Sequence, residues 1–119
     1  VPLESSITKS IISYLNSLPN CIAEKVKGSS SSSGRADINA CYRGRSIRIE
    51  VKTPDHGNIA SAKQNHNLKK WGKAGAVTAI VYNKASVEWL IQHLDNGDVG
   101  HFNLYDPWGF CSWFTIPEV

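Results

Sequence analysis

Two short runs on either side of Arg43-Gly44 constrain this chain more than any other feature. Ile38, Ala40 and Tyr42 alternate with other residues before the pair, and Ile47, Ile49 and Val51 do so after it. This is the period of strands buried on one face. A Gly-containing dipeptide between such runs predicts an antiparallel hairpin, with strands over about 35–42 and 45–52. With Arg43 and Gly44 as the central turn residues, Tyr42 faces Arg45, Ala40 faces Ile47, Ile38 faces Ile49, and Asp37 faces Glu50. Facing residues have Cβ atoms about 4.5–5.5 Å apart, and Lys52 falls on the same face as Glu50, two residues on. Two carboxylates and an amine converge there. Facing like charges cost stability, and burial raises that cost, so a divalent cation between them is the natural resolution. Ligands that are all oxygen favour Mg²⁺ or Mn²⁺ over zinc. Ile49-Glu50-Val51-Lys52 alone would read more readily as part of an amphipathic strand with Arg48, Glu50 and Lys52 on its solvent face; Asp37 opposite shifts the balance.

The remaining segments fit around this hairpin. Leu3, Ile7, Ile11, Tyr14, Leu15 and Leu18 recur at helical spacing and Pro19-Asn20 stops them, predicting a helix over about 3–18. Residues 21–27 read as a strand, and Gly28 to Gly34, with five serines between, reads as a flexible loop. Pro54 ends the hairpin's second strand. A helix over 61–74, an apolar strand from Ala76 to Tyr82 and an amphipathic helix from Ser86 to Leu94, closed near Asn96-Gly97, complete the order α-β-β-β-α-β-α. No repeat is present, and 119 residues of which 41% are hydrophobic suit one domain spanning 1–119. The aromatic-rich tail from Gly100 onward resists assignment.

Charge is unevenly spread. Residues 1–84 hold all 13 Lys and Arg against five acids, a net of +8, whereas 85–119 hold no base and five acids, a net of −5. The first portion suits a polyanion, and the second would face elsewhere. No apolar run reaches the ~20 residues of a membrane span, and the start lacks signal-peptide character, so no membrane partner is expected. Cys21, Cys41 and Cys111 form no C-x-x-C pair, and a reducing, intracellular and cytoplasmic location is expected.

Gly34-Arg35-Ala36-Asp37, then Ile49-Glu50-Val51-Lys52, then Ser61-Ala62-Lys63-Gln64 opening a helix that reaches Trp71, together resemble the PD-(D/E)XK nuclease superfamily, and more narrowly its VRR-NUC branch in the stand-alone, virus-type form. The likeness runs from about Glu4 to Tyr82. It implies a restriction-endonuclease-like αβββαβ core with a mixed central sheet flanked by helices. It further implies Mg²⁺ or Mn²⁺ bound by Asp37, Glu50 and the carbonyl of Val51, with Lys52 acting on the attacking water. Ala36 stands where the family usually has proline, and the literal Pro54-Asp55 lies after the motif.

Two further residues have alternative readings. Glu4 shares a helix face with Ile7, Ile11 and Leu15, and either points towards the sheet, as the family's helix-borne acid does, or meets the helix dipole. Gln64 either aims at the site, the reading adopted, or closes a capping box on Ser61. His56, Asn65 and His66 are spaced too closely for an HNH nuclease, and His93 and His101 have no partner at ligand spacing. Trp108, Phe110, Trp113 and Phe114 suit packing onto the core or onto a second subunit better than base stacking, since their segment has no Lys or Arg.

The expected function is Mg²⁺- or Mn²⁺-dependent hydrolysis of DNA, with RNA also open, structure-specific on branched DNA and carried out by a homodimer paired through the tail from Phe102 to Phe114. Asp37, Glu50, Lys52, Gln64 and Glu4 form the expected catalytic set, and Arg35, Arg48 and Lys63 the DNA contacts. A non-catalytic nucleic-acid-binding module of the same fold is the alternative, and a protein-interaction domain built on the tail is a third.

Overall fold

The computed structural model describes residues 3–27, 35–54 and 60–118. The Gly28–Gly34 loop, Asp55 and His56 lie outside the described residues. The elements are α1 (Glu4–Asn16), β1 (Cys21–Lys25), β2 (Ile38–Tyr42), β3 (Arg45–Val51), α2 (Ala62–Lys73), β4 (Val77–Val81), α3 (Lys84–Asp95), β5 (Gly100–Tyr105) and β6 (Cys111–Ile116). The strands form one six-stranded mixed sheet in the order β1-β2-β3-β4-β6-β5. Neighbours are antiparallel except β3 and β4, which run parallel because α2 crosses between them. The mixed α/β class and the order α-β-β-β-α-β-α therefore hold, with a further hairpin appended.

The β2–β3 turn has the expected register: Tyr42 pairs with Arg45, Ala40 with Ile47 and Ile38 with Ile49. Arg43 takes φ +48° and Gly44 φ +84°, the two left-handed residues that a type I′ turn requires. The turn thereby sends Ile38, Ala40, Ile47, Ile49 and Val51 to one face, where with Ile11 and Leu15 of α1 and Val87 and Leu90 of α3 they form the main core. On the opposite face Leu68 of α2, Ala36 and Ile80 make a smaller cluster, with Trp113 packed against it. Asn16, at the end of α1, bonds both backbone groups of Ala23, at 3.0 and 2.9 Å, and so occupies part of the open edge of β1.

Boundaries depart from expectation for local reasons. β2 begins at Ile38 rather than at residue 35, leaving Asp37 at a bend just past the ladder. α3 begins at Lys84 rather than Ser86, because Asn83 caps it by accepting the Ser86 N–H at 2.9 Å. The tail is the β5–β6 hairpin, and it completes the sheet. Phe102 and Phe114 pack into the chain's own core against Trp89, so part of the apolar surface expected to join two subunits lies within one, while Tyr105 and Trp108 stay exposed.

Phe114 is 1% exposed, with ring centroids 5.3 Å from Trp89 and 5.2 Å from Phe102. Phe114→Ala is expected to lower stability by about 3–5 kcal/mol in urea titration. An unchanged midpoint would show that the hairpin is dispensable to the core.

Candidate active site

Alternation along β3 sends Ile47, Ile49 and Val51 inward and turns Ser46, Arg48 and Glu50 towards the face that α2 covers. At the end of that row the side chain of Glu50 is 1% exposed. Its Oε2 accepts from Gln64 Nε2 and lies 3.3 Å from Lys52 Nζ. Its Oε1 is buried with no hydrogen-bond partner among the described residues. Lys52 is itself only 10% exposed, so the pair is an interior one.

Asp37 reaches the same place by leaving its strand. The Lys52 N–H donates to Val81 O, at 2.9 Å, which commits that amide to β4 and turns the amide of Val51 towards β2. There β2 has ended, and the carboxylate of Asp37 takes the place of a backbone carbonyl: Oδ2 accepts the Val51 N–H at 2.7 Å. In an extended residue N–H and C=O point to the same side, so the Val51 carbonyl faces the gap beside Asp37. Asp37 thus keeps its backbone on the β1 side, its carbonyl accepting the Val26 N–H at 2.8 Å, and turns its carboxylate to β3 beside Glu50.

Electrostatics follow from this crowding. Burial, and then the charge of Asp37, push the Glu50 carboxyl up to about 8, and the opposing pull of Lys52 does not offset them. Glu4, at the start of α1, belongs to the same field: burial raises its pKa first, the charge of Asp37 adds to that, and Lys52 and Lys25 pull it down. Glu4 thus lies within electrostatic reach of the site and is at the same time the acid of the first turn of α1, so both of its readings stand.

Gln64 serves both of its expected purposes. Its Oε1 accepts the Ser61 N–H at 2.9 Å and its own N–H donates to Ser61 Oγ at 3.1 Å, closing the capping box. The opposite end of the same amide donates to Glu50.

The expected phosphate contacts separate from this cluster. Arg48 turns to α2: its guanidinium lies 3.9 Å over the Trp71 ring and donates to Ser46 Oγ and Ile47 O at 3.0 and 3.2 Å. Burial lowers its pKa from the ordinary value. Arg35 and Lys63 are exposed residues flanking Asp37 and Gln64. Trp71 as the platform for Arg48 was missed in the sequence, although its seven-residue spacing from Gln64, two helical turns, marks a shared face.

The donor set suits a small hard cation. Among the described residues no group of three or more His, Cys, Asp or Glu side chains could hold a metal ion, so a cation here would have only the Asp37 and Glu50 carboxylates and the Val51 carbonyl, with other positions left to water or substrate. That is the pattern of Mg²⁺, which keeps several waters. The orphaned Oε1 of Glu50 is the observation that fits such an ion. Neither the profiles of known protein families nor curated protein sequences match this chain.

Because the folded-state pKa of Glu50 is raised, the metal-free protein loses stability as pH climbs from its ordinary 4.5 to about 8 and stays at that lower level above. Glu50→Gln, which has no proton to release, is expected to match the parent near pH 4.5. At pH 9 in EDTA it should be more stable by about 1–2 kcal/mol, roughly 4–8 °C in thermal melts. Equal melting temperatures of parent and variant at pH 9 would show that the carboxylate is not held in a desolvated site.

Proposed function

We propose that this chain is a Mg²⁺- or Mn²⁺-dependent nuclease that hydrolyses DNA phosphodiester bonds, built on the restriction-endonuclease-like αβββαβ core of the VRR-NUC branch. The observation that carries the reading is the buried carboxylate of Glu50, held by Gln64 and Lys52, pressed by Asp37 and left with one oxygen unpartnered. A purely structural site would not be expected to keep such a group. The order α1-β1-β2-β3-α2-β4 supports the same core.

A bound divalent cation would polarise the phosphoryl oxygen and lower the pKa of water. Asp37, Glu50 and the Val51 carbonyl supply its oxygen donors. Lys52, on the rim of the pair, holds and orients the attacking water and offsets charge on the phosphate. Gln64 fixes the Glu50 rotamer. Arg48, with Arg35 and Lys63 on the flanks, binds neighbouring phosphates. Among the described residues no helix is long and apolar enough to cross a membrane; nucleic acid is the proposed partner, in a reducing, cytoplasmic compartment.

Cutting both strands of a branched DNA with one such site per chain requires two copies. With Phe102 and Phe114 committed to the core, the surface we propose for pairing is the outer edge of β5. Its six residues carry no Lys, Arg, Asp or Glu. Sedimentation at micromolar concentration should then give a dimer mass; a monomer mass, with single-strand nicking of a four-way junction, would refute the pairing.

Linear, nicked, flapped and four-way DNA incubated with Mg²⁺, Mn²⁺ or EDTA tests the activity. Lys52→Ala is expected to slow cleavage about a hundredfold or more with DNA affinity changed only a few-fold, and Asp37→Ala to remove metal binding together with cleavage. Rates within a few-fold of the parent for both variants would remove the proposed site. DNA binding without any metal-dependent cutting would leave a non-catalytic binding module.

A further inference from the structure

The β5–β6 hairpin ends beside the candidate site, a placement that its distance along the chain conceals. Glu50 pairs with Ile80, Ile80 with Trp113 and Trp113 with Asn103, so one row crosses the sheet from the carboxylate to the edge strand. The next row along the same registers places Lys52 beside Tyr82, then Cys111, then Tyr105. Phe102 and Phe114 face the core, so alternation puts Tyr105 and Trp113 on the opposite face, the one that carries Glu50. Tyr105 stands three strands from β3, about 14 Å away.

The tip is fixed rather than loose. Asp106 Oδ1 accepts the Trp108 and Phe110 N–H groups at 2.9 and 2.8 Å, and the Asp106 N–H donates to Phe110 O at 2.9 Å. The Tyr82 and Phe110 rings lie 5.4 Å apart, and the Tyr82 N–H donates to Ser112 Oγ at 3.1 Å, tying the hairpin to the end of β4. Within this braced turn Trp108 is 79% exposed and Tyr105 69% exposed. An unpaired base has two free π-faces, and stacking needs no cation on the protein. A backbone phosphate does need one, and residues 85–119 contain five acids and no Lys or Arg. The tip therefore offers a backbone phosphate no cation. The exposure of Trp108 and Tyr105 sets aside the packing that the lack of Lys and Arg suggested from sequence, leaving their rings open to a base whose phosphate is held elsewhere.

We propose that Trp108 and Tyr105 form a stacking ledge for unpaired nucleobases flanking the scissile phosphate, which makes DNA with a single-stranded stretch at the cut the substrate class. The inference rests on the nuclease reading of the Glu50 site and adds the structure that the site selects. Phosphates lie on the Arg48 side, and bases splay across the β6–β5 side.

The test is binding of a short oligothymidylate and of a duplex of equal length, both in EDTA, read by tryptophan fluorescence and by anisotropy of a labelled strand. Trp108→Ala is expected to weaken oligothymidylate about tenfold, within the roughly 5- to 150-fold range of a lost base stack, and duplex less than about twofold. Trp108→Phe, which keeps an aromatic face, should stay within a few-fold of the parent. With Mg²⁺, Trp108→Ala should slow cutting next to a single-stranded flank and leave nicking within duplex unchanged. Unchanged oligothymidylate binding by both Trp108→Ala and Tyr105→Ala overturns the ledge, as does equal weakening of single strand and duplex. A lower sedimentation mass for Trp108→Ala with binding intact would assign the tip to a subunit contact and likewise overturn it. Binding that depends on Trp108 in a protein that never cuts DNA supports the ledge and sinks the nuclease reading; cutting that ignores Trp108 does the reverse.

Discussion

The structure is organised around a carboxylate it can hardly accommodate. Glu50 is 1% exposed, with one oxygen unpartnered among the described residues, and Lys52, the cation paired with it, is buried with it. A buried acid of this kind destabilises the native state at neutral pH unless it is protonated or meets a further positive charge. The neighbouring elements are arranged to hold it in place. β3 carries it, α2 lays Gln64 over it, and β4 receives the Lys52 amide. Asp37 leaves its own strand to stand beside it, which raises its pKa further.

The hairpin was legible because two independent signals agreed. Alternation specified which residues face inward, and Arg43-Gly44 specified the turn, so the register of Ile38 with Ile49 could be set by simple counting. What counting could not supply was the end of β2. Continuing the ladder by one step pairs Asp37 with Glu50 on paper, but the Asp37 carboxylate competes for the Val51 amide and wins, and a side chain that bonds its partner strand's backbone ends regular pairing. Gln64 likewise had two good readings in the sequence. An amide has a donor end and an acceptor end, and choosing between the readings was unnecessary.

The tail was illegible for a different reason. Aromatic residues occupy both of its faces, Phe102 and Phe114 inward, Tyr105 and Trp113 outward, so the apolar–polar alternation that reveals a strand is absent. Its turn, from Asp106 to Phe110, is longer than a two-residue hairpin loop and is built on an Asp side chain rather than on an Asn-Gly signal. The parallel pairing of β3 with β4, and the insertion of β6 between β4 and β5, are long-range choices that local periodicity does not encode. Proximity of the tail to Glu50 depends on both.

Charge distribution and topology reinforce each other. Every Lys and Arg lies between Lys9 and Lys84, on the elements from α1 to the start of α3, whereas β6 and β5 carry none and complete one flank of the same sheet. A polyanion approaching the Glu50 row therefore meets attraction on the β1–β3 side and, apart from Asp106 at the hairpin turn, no charged side chain on β5 and β6. α2 adds direction, because its N-terminus opens at Ser61, beside Gln64, and the helix dipole favours negative charge there. The Ser61–Gln64 cap and the Gln64–Glu50 bond share one side chain, so seating the start of α2 and orienting the carboxylate are a single event. A chain in which α2 is correctly capped is already one in which the Glu50 carboxylate is held in place.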